Sequence, residues 1–438
     1  MSRKSALVIG LDRYLLDACR KLDYDMVVIY GAAVKDFAFY PVPSDVPAIL
    51  VDDQRSLEAV LAGLARAGQL RRSYDLVITS DEMAVVTAAA LGAHFEAQAV
   101  PLDVAVNFRD KSVQKAIVTA AGIPTASYQP IPDILDLPDD FELPYSPAVL
   151  KPVAGAATSL TSMVRTTSEV RDLSESYRKA GVPTRTFIVE DVSHGEEWFV
   201  DGFMFEGTVA FFAIGRYLKT CLTTVVENTP LQLVQLDPEQ EQYAYEAAGP
   251  LVQKALTALG LRSGPFHMEL FADPDTGNVV FGECAARRGG VLTQDAVLAK
   301  FGVDLARGGV QSLAGEKPDF EEVRTPAVVG STFLPCPPGV LADHPTPDEI
   351  LGLPGVVYAQ IELPRGFPMP DAINNAVGKL GQALLVADTH AELFERMNEV
   401  TTWVTERTRT LRPSLPPRLL RLGDTEPLWA ERRPAASH

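Results

Sequence analysis

The sequence predicts an α/β protein in several lobes, with an open parallel lobe first and then a core, α+β in parts, built on antiparallel strands. Three observations carry this. A strand, a helix and a second strand follow one another within about thirty residues at the N-terminus, the spacing of a right-handed parallel unit. Two aromatic and β-branched runs, 266–271 and 279–283, flank Asp273-Pro274-Asp275-Thr276-Gly277-Asn278, whose turn chemistry makes a hairpin. The 438 residues, 47% of them hydrophobic, suffice to bury the core of roughly two to four lobes.

Along the chain, Ala6-Leu7-Val8-Ile9-Gly10 is a buried-strand run, a helical pattern continues through Leu16, Ala18 and Leu22, and 25–30 supplies the second strand. A third run, 75–79, leads into Ser80-Asp81-Glu82, whose hydroxyl and acids suit the opening of a helix. Gly10-Leu11-Asp12 lacks the three spaced glycines of a dinucleotide fingerprint. From Asn107 the text changes, and Asp110-Lys111 opens an Ala/Val/Ile helix that stops at Gly122-Ile123-Pro124. An acidic, proline-rich loop follows near 130–144. Residues 148–152 form a strand carrying Lys151, and 153–159 a small-residue loop leading to a strand at 162–165. Such a loop lets backbone N–H groups close over phosphate while lysine adds a point charge, and an ordinary connection is the alternative. The Gly-Lys-Ser/Thr of a Walker loop is absent.

Residues 186–190 form a strand, and 191–197 connect it to another at 198–201. Glutamates in that crossover can accept from ribose hydroxyls while strand-end backbone reads an adenine edge; otherwise they decorate a loop. Beyond 320 the chain alternates short strands and helices to about 410, and an Arg/Pro-rich tail follows. No internal repeat is visible.

The hairpin carries most of the functional information. Centred on Thr276, it sets Glu269 opposite Glu283 and Phe271 opposite Phe281. Opposed residues on one face have Cβ atoms about 5 Å apart, where like charges destabilise. A divalent cation is the simplest compensation, and Mg²⁺ takes one or two carboxylates plus substrate phosphates; an acidic hairpin facing solvent is the alternative. Arg287-Arg288-Gly289-Gly290 follows, joining guanidinium forks for phosphate or carboxylate to glycines that let backbone approach a ligand. His267 shares a face with Glu269, where it orients a metal-bound carboxylate, shuttles a proton or simply packs. Arg216 and Lys219 sit on a strand expected to face the cleft.

A net charge of −18 argues against a general nucleic-acid or anionic-membrane partner. The chain has no apolar run of membrane-spanning length and no leader with a cleavage site. Cys19, Cys221, Cys284 and Cys336 are far apart, which suggests neither disulfides nor a zinc site, so a reduced cytoplasm is expected.

Taken in order, these pieces resemble the ATP-grasp ligases, in particular the carboxylate–amine ligases near D-alanine–D-alanine ligase and bacterial L-amino-acid ligases, over about 1–410. Glu190 and Glu197 look like the family's hinge strand, with Asp191 and Val192 in the adenine-reading backbone and Glu197 on the ribose. Lys111 and Lys151 are similar to the two family lysines that contact the nucleotide. The loop 154–162, with Gly155 and Ser159, is similar to the mobile phosphate cover. Glu269 and Glu283 match the two metal-binding glutamates, and Arg287 the arginine after the second. The resemblance implies an ATP-grasp fold with an N-terminal lobe at 1–106 and a core at 107–320, split into a lid at about 146–186 and a metal and substrate lobe at about 187–320. A small C-terminal α/β lobe at 321–410 and a tail at 411–438 complete it. It further implies ATP with Mg²⁺ or Mn²⁺, a small-molecule carboxylate and amine as substrates, and an acylphosphate intermediate. Arg287 then neutralises charge, Arg288 holds the acyl substrate, and Gly289 and Gly290 lie near it; homodimers are common in the family.

One departure stands out. The family's second metal motif is Glu-x-Asn-x-Arg, and here Ala285 holds the Asn position. The rival readings are a carboxylase-type enzyme using bicarbonate, for which no biotin-attachment motif is present, and a non-catalytic nucleotide-binding protein, which Ala285 favours.

Overall fold

The computed structural model describes residues 3–32, 42–369 and 379–411. Its first sheet joins β1 (Ser5–Ile9), β2 (Asp25–Gly31), β3 (Ala48–Val51) and β4 (Leu76–Thr79) in the order β3-β2-β1-β4, every pair parallel. Both faces of this sheet are covered, which is why its strands read as unbroken apolar runs. Along β1, Ala6 and Val8 enter one core while Leu7 and Ile9 enter another. The core holding Ala6 and Val8 also holds Phe266, Met268 and Phe281, so the N-terminal sheet and the hairpin region share one continuous core.

A second sheet joins β5 (Tyr128–Ile131), β6 (Ala148–Pro152), β7 (Ser162–Val164) and β8 (Phe187–Asp191) in the antiparallel order β5-β8-β6-β7. Its own core sets Leu150, Val164, Phe187 and Val189 against Val170 and Tyr177 of the helix Thr167–Ala180. The start of the expected 130–144 loop therefore belongs to a strand. Pro130 is tolerated there because β5 is an edge, where a missing N–H breaks no ladder.

The largest sheet is wholly antiparallel. It comprises β9 (Glu196–Phe205), β10 (Thr208–Tyr217), β11 (Gln232–Gln235), β12 (Gly264–Ala272), β13 (Val279–Ala285) and β14 (Val328–Leu334), then, after β15 (Gly339–Asp343), β16 (Val356–Ile361) and, after β17 (Pro368–Met369), β18 (Gly381–Ala387). The order is β13-β12-β9-β10-β11-β14-β18-β16. Two expectations change here. Glu196 and Glu197 begin β9 instead of lying in a connector. Residues 321–410 do not make a sheet apart: β14, β18 and β16 extend the central one, and a small sheet is left to β17, β15 and β19 (Arg409–Leu411). The tail beyond Leu411 lies outside the described residues. Among the described residues no helix is long and apolar enough to cross a membrane, and all four cysteines are free.

The hairpin β12–β13 places Glu269 opposite Glu283, as its centring on Thr276 predicts. Phe271, however, faces Val280, and Leu270 faces Phe281. The turn is centred half a residue earlier, and a bulge between Glu269 and Leu270 inserts Gly282 and restores the register just before the carboxylates. A Cβ on Gly282 would stand 2.8 Å from the Glu269 carbonyl oxygen. The outer edge of β13 is closed by side chain and loop. Gln114 donates to the Cys284 carbonyl at 2.7 Å and accepts its N–H at 2.8 Å, while Phe281 donates to the Pro124 carbonyl at 2.8 Å. This covers an edge that would otherwise be unpaired. Gly282→Ala is expected to destabilise the protein by about 1–3 kcal/mol through overpacking at the bulge. Urea denaturation checks this, and a variant as stable as wild type would contradict the bulge.

Candidate active site

A cavity of about 530 Å³ opens where the three larger sheets meet, and Lys111, Lys151, Glu190, Glu197, Glu269, Glu283 and Arg287 all line it. A more open trough of about 620 Å³ runs along the helix His390–Arg407 among Glu395, Glu399 and Glu406; it holds none of this chemistry.

The charges are placed by local structure. Val149 on β6 pairs with Glu190 on β8, and Lys151 with Ile188, so Lys151 and Glu190 are diagonal neighbours on one face. Lys151 Nζ lies 3.1 Å from Glu190 and 3.4 Å from Glu283. Asp110 caps the helix Lys111–Ala120 by accepting the N–H groups of Ser112 and Val113. This directs Lys111 and, one turn on, Lys115 to the same face. Lys111 Nζ reaches Glu283 at 3.3 Å, and Lys115 Nζ reaches Glu190 at 3.5 Å. Positive and negative groups thus alternate through Lys115, Glu190, Lys151, Glu283 and Lys111.

Their proton affinities follow from this packing. Burial works against the charge of Lys151, but Glu190 and Glu283 hold it above the ordinary lysine range. Burial likewise opposes ionisation of Glu283, yet Lys111 and Lys151 keep its carboxyl well below the usual carboxylate range. Glu190 is depressed by Lys151 and Lys115 against its burial. Lys115 goes the other way, because burial outweighs Glu190 and pulls it down to about 8. Burial, then Glu269, pushes Glu197 above the carboxylate range, while one of its oxygens accepts the Cys221 N–H at 2.8 Å.

The compensation expected from a cation is thus supplied at Glu283 by two lysines. Glu269 and Glu283 still keep 24% and 28% of their side-chain exposure, enough for a ligand to reach them from the cavity. Two opposed hard-oxygen donors in a phosphate-sized cavity fit Mg²⁺ or Mn²⁺. Ala285 adds only a methyl group, opposite His267 in the ladder. Among the described residues no cluster of three or more His, Cys, Asp or Glu could hold an ion, so phosphate and water must complete its shell. A second mark of fit is Glu190 Oε1, buried without a hydrogen-bond partner beside the strand-end residues Asp191 and Val192. It lacks an N–H donor of the kind an adenine amine supplies.

Other expected residues fall differently. His267 is buried, with Nδ1 2.8 Å from Asp201 and Nε2 3.8 Å from Glu269. Burial opposes its charge, but Asp201 raises it to about 10. Gly289 packs below the surface and donates its N–H to Asp201; a Cβ there would stand 2.8 Å from both Asp201 carboxylate oxygens and from His267 Nδ1. Gly290 lines the cavity and Gly289 does not. Arg288 also lies outside the lining; it pairs with Asp12 and sits 4.5 Å over the Tyr14 ring, tying β13 to the first lobe. Arg216 pairs with Glu196 at 2.6 Å and Lys219 with Glu227 at 2.6 Å, both in a separate groove. Arg216 lies on β10 and Lys219 just beyond its end, and neither lines the cavity. Gly155 lines the cavity and its carbonyl accepts from Lys111 and Arg109, whereas Ser159 is exposed and Thr158 and Thr161 line instead.

Three residues escaped the sequence reading. Lys115 had a signal, four residues after Lys111 on one helix face. Glu82, read as a helix opener, enters the cavity and pairs with Arg287, and with Arg109 at 3.4 Å. Asp201 carried no signal beyond an acid inside an apolar strand.

Comparison with known proteins agrees with this geometry. An ATP-grasp domain matches residues 145–295. The chain is 21% identical over 320 residues to the L-arginine-specific L-amino acid ligase of Bacillus subtilis, covering 72% of this chain and 75% of that protein. It is 24% identical over 256 residues to the alanine–anticapsin ligase of Bacillus subtilis, covering 53% and 52%. The fold matches the crystal structure of L-amino acid ligase from Bacillus licheniformis with a TM-score of 0.73 at 18% identity, over 94% of this chain and all of that one.

Lys115 gives a pH test. The unfolded chain holds the lysine proton up to the ordinary 10.5, whereas the folded chain releases it from about 8. Folding releases a proton in that window, so stability rises with pH there. Between pH 8 and 10.5 wild type should gain stability relative to Lys115→Met in denaturant titrations, and a constant difference would contradict the burial of a charged lysine.

Proposed function

We infer that this chain is an ATP-grasp ligase, and that it joins the carboxylate of an amino acid or small carboxylic acid to an amine through an acylphosphate, releasing ADP and phosphate. The observation that carries this reading is the pair Glu269–Glu283, opposed in register inside a cavity that also presents Lys111, Lys151 and Arg287. The names of the relatives make amino acids the first substrates to try.

In this reading the strand end at Glu190, Asp191 and Val192 takes the adenine edge, and Glu197 takes ribose. Lys111, Lys151 and the 154–162 loop surround the phosphates. Glu269 and Glu283 would hold Mg²⁺ or Mn²⁺, which supplies positive charge to the transferring phosphoryl group. A substrate carboxylate oxygen attacks the γ-phosphorus, breaking the bond to ADP and forming the acylphosphate. The amine nitrogen then attacks the acyl carbon and phosphate leaves with the C–O bond electrons. No nucleophilic side chain is needed, because phosphoryl transfer rests on positioning and charge stabilisation. Arg287, anchored by Glu82, faces that charge and neutralises the acylphosphate or the tetrahedral oxyanion. Four free cysteines support a reduced, cytoplasmic setting for this ligase.

Phosphate release from ATP, assayed with amino acids singly and in pairs and with bicarbonate, tests the reading. Release that needs two amino-acid partners and stops on metal chelation supports ligation. Dependence on bicarbonate supports a carboxylase, and ATP binding without turnover supports a non-catalytic protein. Arg287→Ala is expected to lower turnover by about two to three orders of magnitude with ATP affinity little changed. Equal turnover in that variant would remove Arg287 from the mechanism.

A further inference from the structure

Among the described residues that line the cavity, Lys379 is a cation that the phosphate chemistry does not use. Lys379 lies two residues before β18 and lines the cavity together with Phe333 of β14, Gly290 and Val291. Phe333 and Lys379 belong to the region of the central sheet, whereas Lys151 and Glu190 sit on the separate sheet of β6 and β8. Lys379 is only 8% exposed, and its Nζ lies 3.8 Å from the centre of the Phe333 ring. An aromatic face favours a cation there without giving it a hydrogen-bond acceptor.

Its carboxylate partner is Glu362, at 3.5 Å, which is a long contact. Glu362 does not depend on the lysine alone. Its Oε1 already accepts from the Gln360 amide at 2.8 Å and from the Gln382 amide. Gln360 is held in turn by the Tyr358 hydroxyl at 2.9 Å, and Tyr358 by Arg13. An ammonium has three donors, and a 3.5 Å pair leaves capacity for another acceptor. Burial lowers the lysine's proton affinity and Glu362 offsets part of that.

We propose that Lys379 is a specificity-determining residue of the ligase site, binding a second carboxylate carried by the substrate pair, apart from the one that is phosphorylated. This rests on the ligase reading and deepens it. The second carboxylate is either the free carboxylate of the amine substrate or a side-chain carboxylate of the acyl substrate. Phe333 and Val291 form the apolar wall beside it.

The test compares wild type, Lys379→Arg and the double variant Lys379→Met/Glu362→Gln, which removes both charges so that no anion is left buried alone. Phosphate release is measured with the productive pair of amino acids and with analogues carrying a carboxamide in place of either spare carboxylate. In the double variant the KM for one substrate should rise about 10- to 100-fold with the KM for ATP unchanged, and Lys379→Arg should retain most of the affinity. The matching carboxamide should cost wild type a similar factor and cost the double variant nothing more; which carboxamide does so identifies the source. Equal KM in wild type and double variant, or losses that add, would overturn the proposal. Should no pair support turnover, the ligase reading itself fails. Calorimetric titration of L-glutamate and of L-alanine in the presence of a non-hydrolysable ATP analogue then decides Lys379 alone. Binding lost in the double variant supports the role, and binding equal in both proteins or absent from both overturns it.

Discussion

Five charges buried in one row hold this structure together and set its chemistry. Lys115, Glu190, Lys151, Glu283 and Lys111 alternate in sign and come from the helix Lys111–Ala120, β8, β6 and β13. Removing one member of a buried pair costs about 3–5 kcal/mol, because its partner stays charged in a poor solvent. The row therefore links the sheet of β6 and β8 to the central hairpin. It also explains how two glutamates tolerate facing each other, since one of them is already neutralised from the side.

The same row is prepared for an exchange of partners. In the proposed reaction polyphosphate would compete for Lys111 and Lys151, and Glu283 would then be free to join Glu269 as a hard-oxygen donor. The first lobe contributes beyond packing, since Glu82 reaches the cavity and anchors Arg287; from just beyond that lobe, Arg109 holds the Ala154 and Gly155 carbonyls at the start of the small-residue loop. Arg288 and Asp12 join the same lobes outside the cavity. Adjacent arginines thus divide into one that faces the ligand space and one that fastens the frame.

Much of this was legible because the informative residues are local. Hairpin spacing placed Glu269 against Glu283, and the order of motifs pointed to the ATP-grasp fold that the domain match and the structural comparison bear out. The bulge at Gly282 was invisible, because a half-residue shift of the turn and an inserted residue cancel at the carboxylates. Long-range partners were also hidden. Nothing near Arg288 in the chain announces Asp12, and nothing near Lys219 announces that its strand end turns away from the cavity. The strands after 320 looked like a separate lobe because sequence reports strand lengths and not neighbours. Their place in the central sheet is what brings Phe333 and Lys379 to the cavity.

The central claim is that the opposed glutamates and the lysines around them bind a metal–nucleotide complex. The most direct measurement is a crystal structure grown with Mg²⁺ and a non-hydrolysable ATP analogue. The account predicts metal bound to carboxylate oxygens of both Glu269 and Glu283, with Lys111 and Lys151 moved onto phosphate oxygens. Nucleotide bound elsewhere, or phosphates seated in the cavity with both carboxylates turned away from them, would contradict it.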